Sequence, residues 1–100
     1  MAVEIAQSHA ARQDLKEIWL YTADAASPER ADRVLDALYD TYETLAEYPQ
    51  IGRDRSADLR PGLRSYVSGP FVVFYEPRPA SVEIVRVLRA ERDADTLLGS

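Results

Sequence analysis

Residues 60–77 read RPGLRSYVSGPFVVFYEP, and the way this stretch pairs with itself decides the fold. Leu63, Ser65 and Val67 alternate with Arg64, Tyr66 and Ser68, the period-two pattern of a half-buried strand. Ser68-Gly69-Pro70 supplies a turn, and FVVFY at 71–75 continues as a second strand with no polar face. A strand apolar on both sides belongs in the middle of a sheet with a cover over each face. EPRPAS at 76–81 turns the chain again, and VEIVRVLR at 82–89 reads as the next strand.

Upstream, QIGRDRSADLRPG at 50–62 is a connector with no clear period. Before it, Ala31, Val34, Leu35, Leu38, Tyr42 and Leu45 form a stripe of helical period that Pro49 stops. This helix has a strong start in Ser27-Pro28-Glu29: Ser27 can cap it, Pro28 suits its first position and Glu29 meets the positive end of its dipole. An earlier helix is capped by Ser8 and turns Ala11, Leu15, Ile18, Trp19 and Thr22 inward, ending near Asp24. Val3 and Ile5 alternate with Ala2, Glu4 and Ala6 as a short first strand with one buried face.

The order is therefore β-α-α-β-β-β in a single α+β domain over 1–100, a helical hairpin packed on one face of a curved, mainly antiparallel four-stranded sheet. The other face is left to water or to a partner. There, or at its rim, Arg64, Tyr66, Tyr75, Arg86 and Arg89 are expected, since a mid-strand arginine is costly to bury without a partner. The alternative is that Arg86 pairs within the protein, with Glu76 or Glu83.

Composition narrows the class. One hundred residues, 46% hydrophobic and 29% charged, are typical of a globular domain that buries about 65% of its unfolded surface. No apolar run approaches the roughly 20 residues of a membrane span, and MAVEIAQSH lacks the basic flank and apolar block of a signal peptide, so the expected location is the cytoplasm. No cysteine and a single histidine argue against a disulfide framework and a zinc site, and no metal or cofactor is expected. The net charge of −5 is uneven: residues 1–50 carry 4 basic and 10 acidic side chains, residues 51–100 carry 8 and 7. Eleven of the 12 basic residues are arginines, whose planar fork binds carboxylates and phosphates bidentately.

Five stretches in order, ARQDLKEIWLY at 11–21, SPERA at 27–31, LAEYPQIGR at 45–53, LRPGLRSY at 59–66 and VEIVRVLRAERD at 82–93, make the chain similar to the ParE toxins of the RelE/ParE toxin–antitoxin superfamily over nearly its whole length. The resemblance implies the same β-α-α-β-β-β fold and two activities. RelE-like members cut messenger RNA on the ribosome with arginine, lysine and tyrosine side chains. Here the corresponding hairpin positions hold Val67 and Val72, the C-terminal arginine falls near Ala90 and its following tyrosine near Thr96, and the connector offers Arg53 and Arg55 with no lysine. Tyr66 and Tyr75 remain as possible bases, but phosphodiester cleavage also needs positive charge arranged around the reacting phosphate.

That departure favours the ParE-like implication: a non-enzymatic inhibitor of DNA gyrase held silent by a cognate ParD-like antitoxin, with no sequence-specific nucleic-acid binding and no membrane partner. A ribosome-dependent nuclease and a non-toxic antitoxin-binding relic are the alternatives. Candidate partner contacts are Trp19, Tyr21, Tyr39 and Tyr42 on the helices, although the spacing of Trp19 and Tyr42 also suits core packing. Arg64, Arg86, Arg89 and Arg92 are expected to fork onto antitoxin carboxylates, with Tyr66 and Tyr75 beside them. Leu97 and Leu98 in the tail are expected to dock on the sheet or be offered to a target.

Overall fold

The computed structural model describes residues 3–90. Its elements are β1 (Glu4–Gln7), α1 (His9–Ala25), α2 (Pro28–Glu47), β2 (Arg53–Asp54), β3 (Arg64–Ser68), β4 (Phe71–Pro77) and β5 (Ser81–Arg89). Both helices begin where the capping residues place them. The Ser8 hydroxyl accepts from the Ala11 amide and the Ser27 hydroxyl from the Arg30 amide, with Pro28 at the first turn of α2.

The strands lie in the order β1-β5-β4-β3-β2. β4 is central, as its two apolar faces require. It pairs antiparallel with β3 and β5, whereas β1 runs parallel to β5 from Glu4↔Ser81 to Gln7↔Ile84. The sheet has five strands rather than four, because Arg53 and Asp54 in the connector pair with Ser65 and Arg64. The β3–β4 loop is Gly69-Pro70, with Gly69 at φ +58°. Proline cannot follow into positive φ, so the loop is of the type that needs glycine first.

The main core lies between the sheet and the helical hairpin. Ala11 and Leu15 of α1 and Leu38, Tyr42 and Leu45 of α2 pack on Phe71, Val73, Tyr75, Val82, Ile84 and Val87. The expectation of a buried face on β1 fails: Glu4, Ile5 and Ala6 are all exposed, and only Val3, just before the strand, packs on the core. β1 is an edge strand, so much of its surface faces solvent.

The far face of the sheet is not open. The connector folds back over it, and Leu59 and Leu63 join Val72, Phe74, Val85 and Leu88 in a second apolar cluster, with the Arg55 guanidinium 5.9 Å from the Phe74 ring centre. This is the second cover that FVVFY demands. Polar ties hold the connector down: Arg60 bonds Glu76, and Arg55 bonds both Asp58 and Ser65.

A β-bulge between β4 and β5 sets which side chains face the helices. Phe74 pairs with Arg86 and Tyr75 with Ile84, so Val85 is the extra residue. Beyond it the alternation changes phase. Val82, Ile84 and Val87 line the helical side, while Val85 and Leu88 turn to the connector side.

Candidate partner-binding groove

The partner-facing residues expected on the far face are on the helical side instead. Tyr75 belongs to the main core, Tyr66 packs against it, and Arg64, two residues before Tyr66 on β3, reaches the carbonyls of Gln50 and Gly52 at 3.3 and 2.6 Å. Arg86 pairs with neither Glu76 nor Glu83. Its Nε and Nη2 donate to the two carboxylate oxygens of Asp14 on α1, at 2.7 and 2.8 Å, and Asp14 also accepts from the Val87 amide at 3.0 Å. Asp14 is only 8% exposed, and its three bonds are what make a carboxylate tolerable there. Glu76 is taken by Arg60 and Arg78, and Glu83 by Arg78.

Tyr75 is fully buried. Its hydroxyl donates to the Pro49 carbonyl at 2.8 Å and accepts from the Gly52 amide at 2.9 Å, and burial raises its pKa above the ordinary phenol value. Gly52 must be glycine for this: a Cβ there would lie 2.5 Å from the Tyr75 hydroxyl and 2.9 Å from the Ser65 carbonyl. Tyr42 is buried too, its hydroxyl donating to the Gln7 side chain at 3.1 Å, and burial pushes its pKa up. Tyr39 stacks edge-on against Tyr42 and is exposed, while the half-buried Trp19 donates its indole N–H to Asp32 and ties the two helices.

Tyr21, Arg86 and Arg89 come together in one place. β1 pairs with β5 only as far as Ile84; Ser8 then donates its amide to the Ile84 carbonyl and its hydroxyl to the Val85 carbonyl, and the chain leaves as α1. From Arg86 to Arg89 this edge of β5 has no strand beside it among the described residues. Between the edge and α1 runs a groove of about 510 Å³. Asp14, Glu17, Ile18 and Tyr21 form its α1 wall, and Phe71 with Arg86–Arg89 the sheet wall.

Arg89 is held in this groove by two rings. Its guanidinium carbon lies 5.1 Å from the Tyr21 ring centre and 5.3 Å from that of Phe71, within the range of cation–π attraction. Among the described residues no carboxylate pairs with it. Tyr21 is 63% exposed, so the outer side of the clamp is open to a partner. Asp14, Glu17 and Phe71 are groove residues that the sequence reading passed over. Asp14 was signalled by its position, for it stands with Ala11, Leu15 and Ile18 in the inward stripe of α1, where a charge calls for a buried partner. Arg92, Leu97 and Leu98 lie outside the described residues.

Residues 5–94 match the family described as ParE toxin of type II toxin-antitoxin system, parDE. Toxin ParE1 of Caulobacter vibrioides (strain ATCC 19089 / CIP 103742 / CB 15) is 38% identical over 92 residues, covering 92% of this chain and 94% of that one. Toxin ParE3 of the same strain is 31% identical over 86 residues, covering 86% and 85%. Among solved structures, the chromosomal ParDE TA system from P. aeruginosa superposes with a TM-score of 0.77, covering 90% of this chain and 98% of that one at 21% identity, a likeness of fold.

Proposed function

The chain belongs to the ParE toxin family of type II toxin–antitoxin systems, and from that membership we propose that it inhibits DNA gyrase by protein–protein contact, without cutting nucleic acid, and is silenced by a ParD-like antitoxin. The observation that carries the non-enzymatic reading is how Tyr75 and five arginines of the sheet and connector are engaged. Metal-free phosphodiester cleavage needs a base that can take a proton and cations free to meet the phosphorane. The Tyr75 hydroxyl is buried between Pro49 and Gly52, and burial makes it a harder group to ionise. Arg55, Arg60, Arg78 and Arg86 are committed to carboxylates, and Arg64 to backbone carbonyls.

Charge supports the same choice of target. A nucleic-acid binder usually presents a basic domain, whereas this chain carries −5 with a sequence pI near 4.8. Among the described residues no helix is long and apolar enough to cross a membrane. Acting on gyrase places the protein in the cytoplasm. The antitoxin assignment is supported by the fold neighbour, whose name is that of a ParDE system.

The test is supercoiling by gyrase from the same host, titrated with antitoxin-free protein. Inhibition that purified antitoxin reverses, with transcripts left intact, is the expected result. Transcripts cut at translating ribosomes with supercoiling untouched would replace the proposal by the nuclease reading.

A further inference from the structure

We propose that the groove between α1 and β5 takes an extended acidic segment of the antitoxin, which adds as a strand beside Val87–Arg89 and sets a carboxylate on Arg89. This deepens the toxin–antitoxin reading and rests on it. The backbone makes the first half of the case. The Ala90 amide points toward β4, where it bonds the Pro70 carbonyl, and the Val87 amide points the opposite way, to Asp14. Because backbone groups alternate along a ladder, the Val87 carbonyl and the amide and carbonyl of Arg89 face the groove.

Such a row of strand groups is a template for another chain. Four residues of edge, Arg86 to Arg89, extend about 13 Å. Val87 is buried and Arg89 half-buried, so an extended peptide laid there meets chiefly the Arg89 carbonyl and amide with its own. A helix in the same place would leave them without partners, since its backbone groups are already bonded internally.

Charge makes the second half. Arg86 is neutralised by Asp14, but Arg89 is a cation with two aromatic rings and no carboxylate among the described residues. The rings fix the guanidinium before anything binds, so a carboxylate gains the forked contact with little further ordering. Glu17 stands on the opposite wall and repels a second acid. The matching segment therefore carries one acidic side chain for Arg89 and an apolar or basic residue toward Glu17.

The test is the affinity of full-length protein for purified antitoxin, with overlapping synthetic antitoxin peptides as further probes and amide exchange followed at Arg89. Arg89→Ala is expected to weaken binding roughly tenfold to a hundredfold, the loss of one charge-assisted contact. Glu17→Ala, a change at an exposed helix position, is expected to raise the affinity of antitoxin peptides that place an acid opposite it, and to leave unchanged or lower that of peptides with an apolar or basic residue there. The Arg89 amide is expected to exchange more slowly in the complex, which a side-chain contact alone would not produce. Wild-type binding that is insensitive to Arg89→Ala, or an Arg89 amide exchanging as fast bound as free, overturns the groove assignment and leaves the toxin reading standing. Failure of the wild-type protein to bind the antitoxin at all overturns both.

Discussion

Tyr75 holds two backbone atoms at once, the Pro49 carbonyl and the Gly52 amide, and so pins the end of α2 to the central strand. Its removal leaves both without that partner, which predicts that Tyr75→Phe loses about 1–3 kcal/mol at neutral pH by chemical denaturation. The pH dependence has a definite sign. Burial raises the pKa of both Tyr75 and Tyr42 above 10.0, so above about pH 10 the unfolded chain releases protons that the folded chain keeps. The stability these phenols contribute is complete below that pH and is lost as pH rises. Tyr75→Phe is expected to start less stable but to show a shallower fall on the alkaline side; an unchanged slope would mean that the phenol titrates equally in both states. From the sequence Tyr75 read as a partner contact on the face, or at the rim of the face, that the helical hairpin leaves uncovered, and nothing local distinguishes a hydroxyl that meets a partner protein from one that meets its own loop.

At the scale of elements, the two helix starts were legible because capping is a local matter of residue type and spacing. The structure separates two caps that look alike in sequence. Ser27 makes one bond, to the Arg30 amide, whereas Ser8 also donates to the Val85 carbonyl across the β1–β5 junction. Ser27→Ala is expected to cost about 1 kcal/mol. Ser8→Ala should cost roughly twice that, because a strand carbonyl loses its partner as well. Equal shifts in thermal unfolding would show that water replaces the Val85 contact without loss. The bulge at Val85 was not legible. Simple alternation in VEIVRVLR groups Val82, Ile84, Arg86 and Leu88, but one extra residue turns Leu88 to the connector and Val87 to the helices.

At the scale of the molecule, the sheet is covered by unlike layers: a capped helical hairpin on one side and a connector held by Leu59, Leu63 and a few ion pairs on the other. Leu63 is completely buried, so Leu63→Ala is expected to lose about 2–5 kcal/mol. The loss should be uneven. Hydrogen exchange is expected to speed up first at Arg55 and Leu59, whose amides bond within the connector, while the helices keep their protection, as a locally opening unit does. Uniform loss of protection would show that both layers unfold together. The groove depends on this arrangement too, since it exists only where β1 stops and α1 departs.

The sequence by itself determined the two helices, three of the strands nearly to the residue, and the requirement that β4 be central with both faces covered. Those features follow from caps, prolines and periods that act within a few residues. Only the tertiary structure decided what covers the second face, where Asp14 meets Arg86, and that Arg89 stands open beside Tyr21. Each of these is a contact between segments far apart in the chain. Their geometry is set by one bulged residue and by where the connector packs, and neither leaves a periodic signal to read.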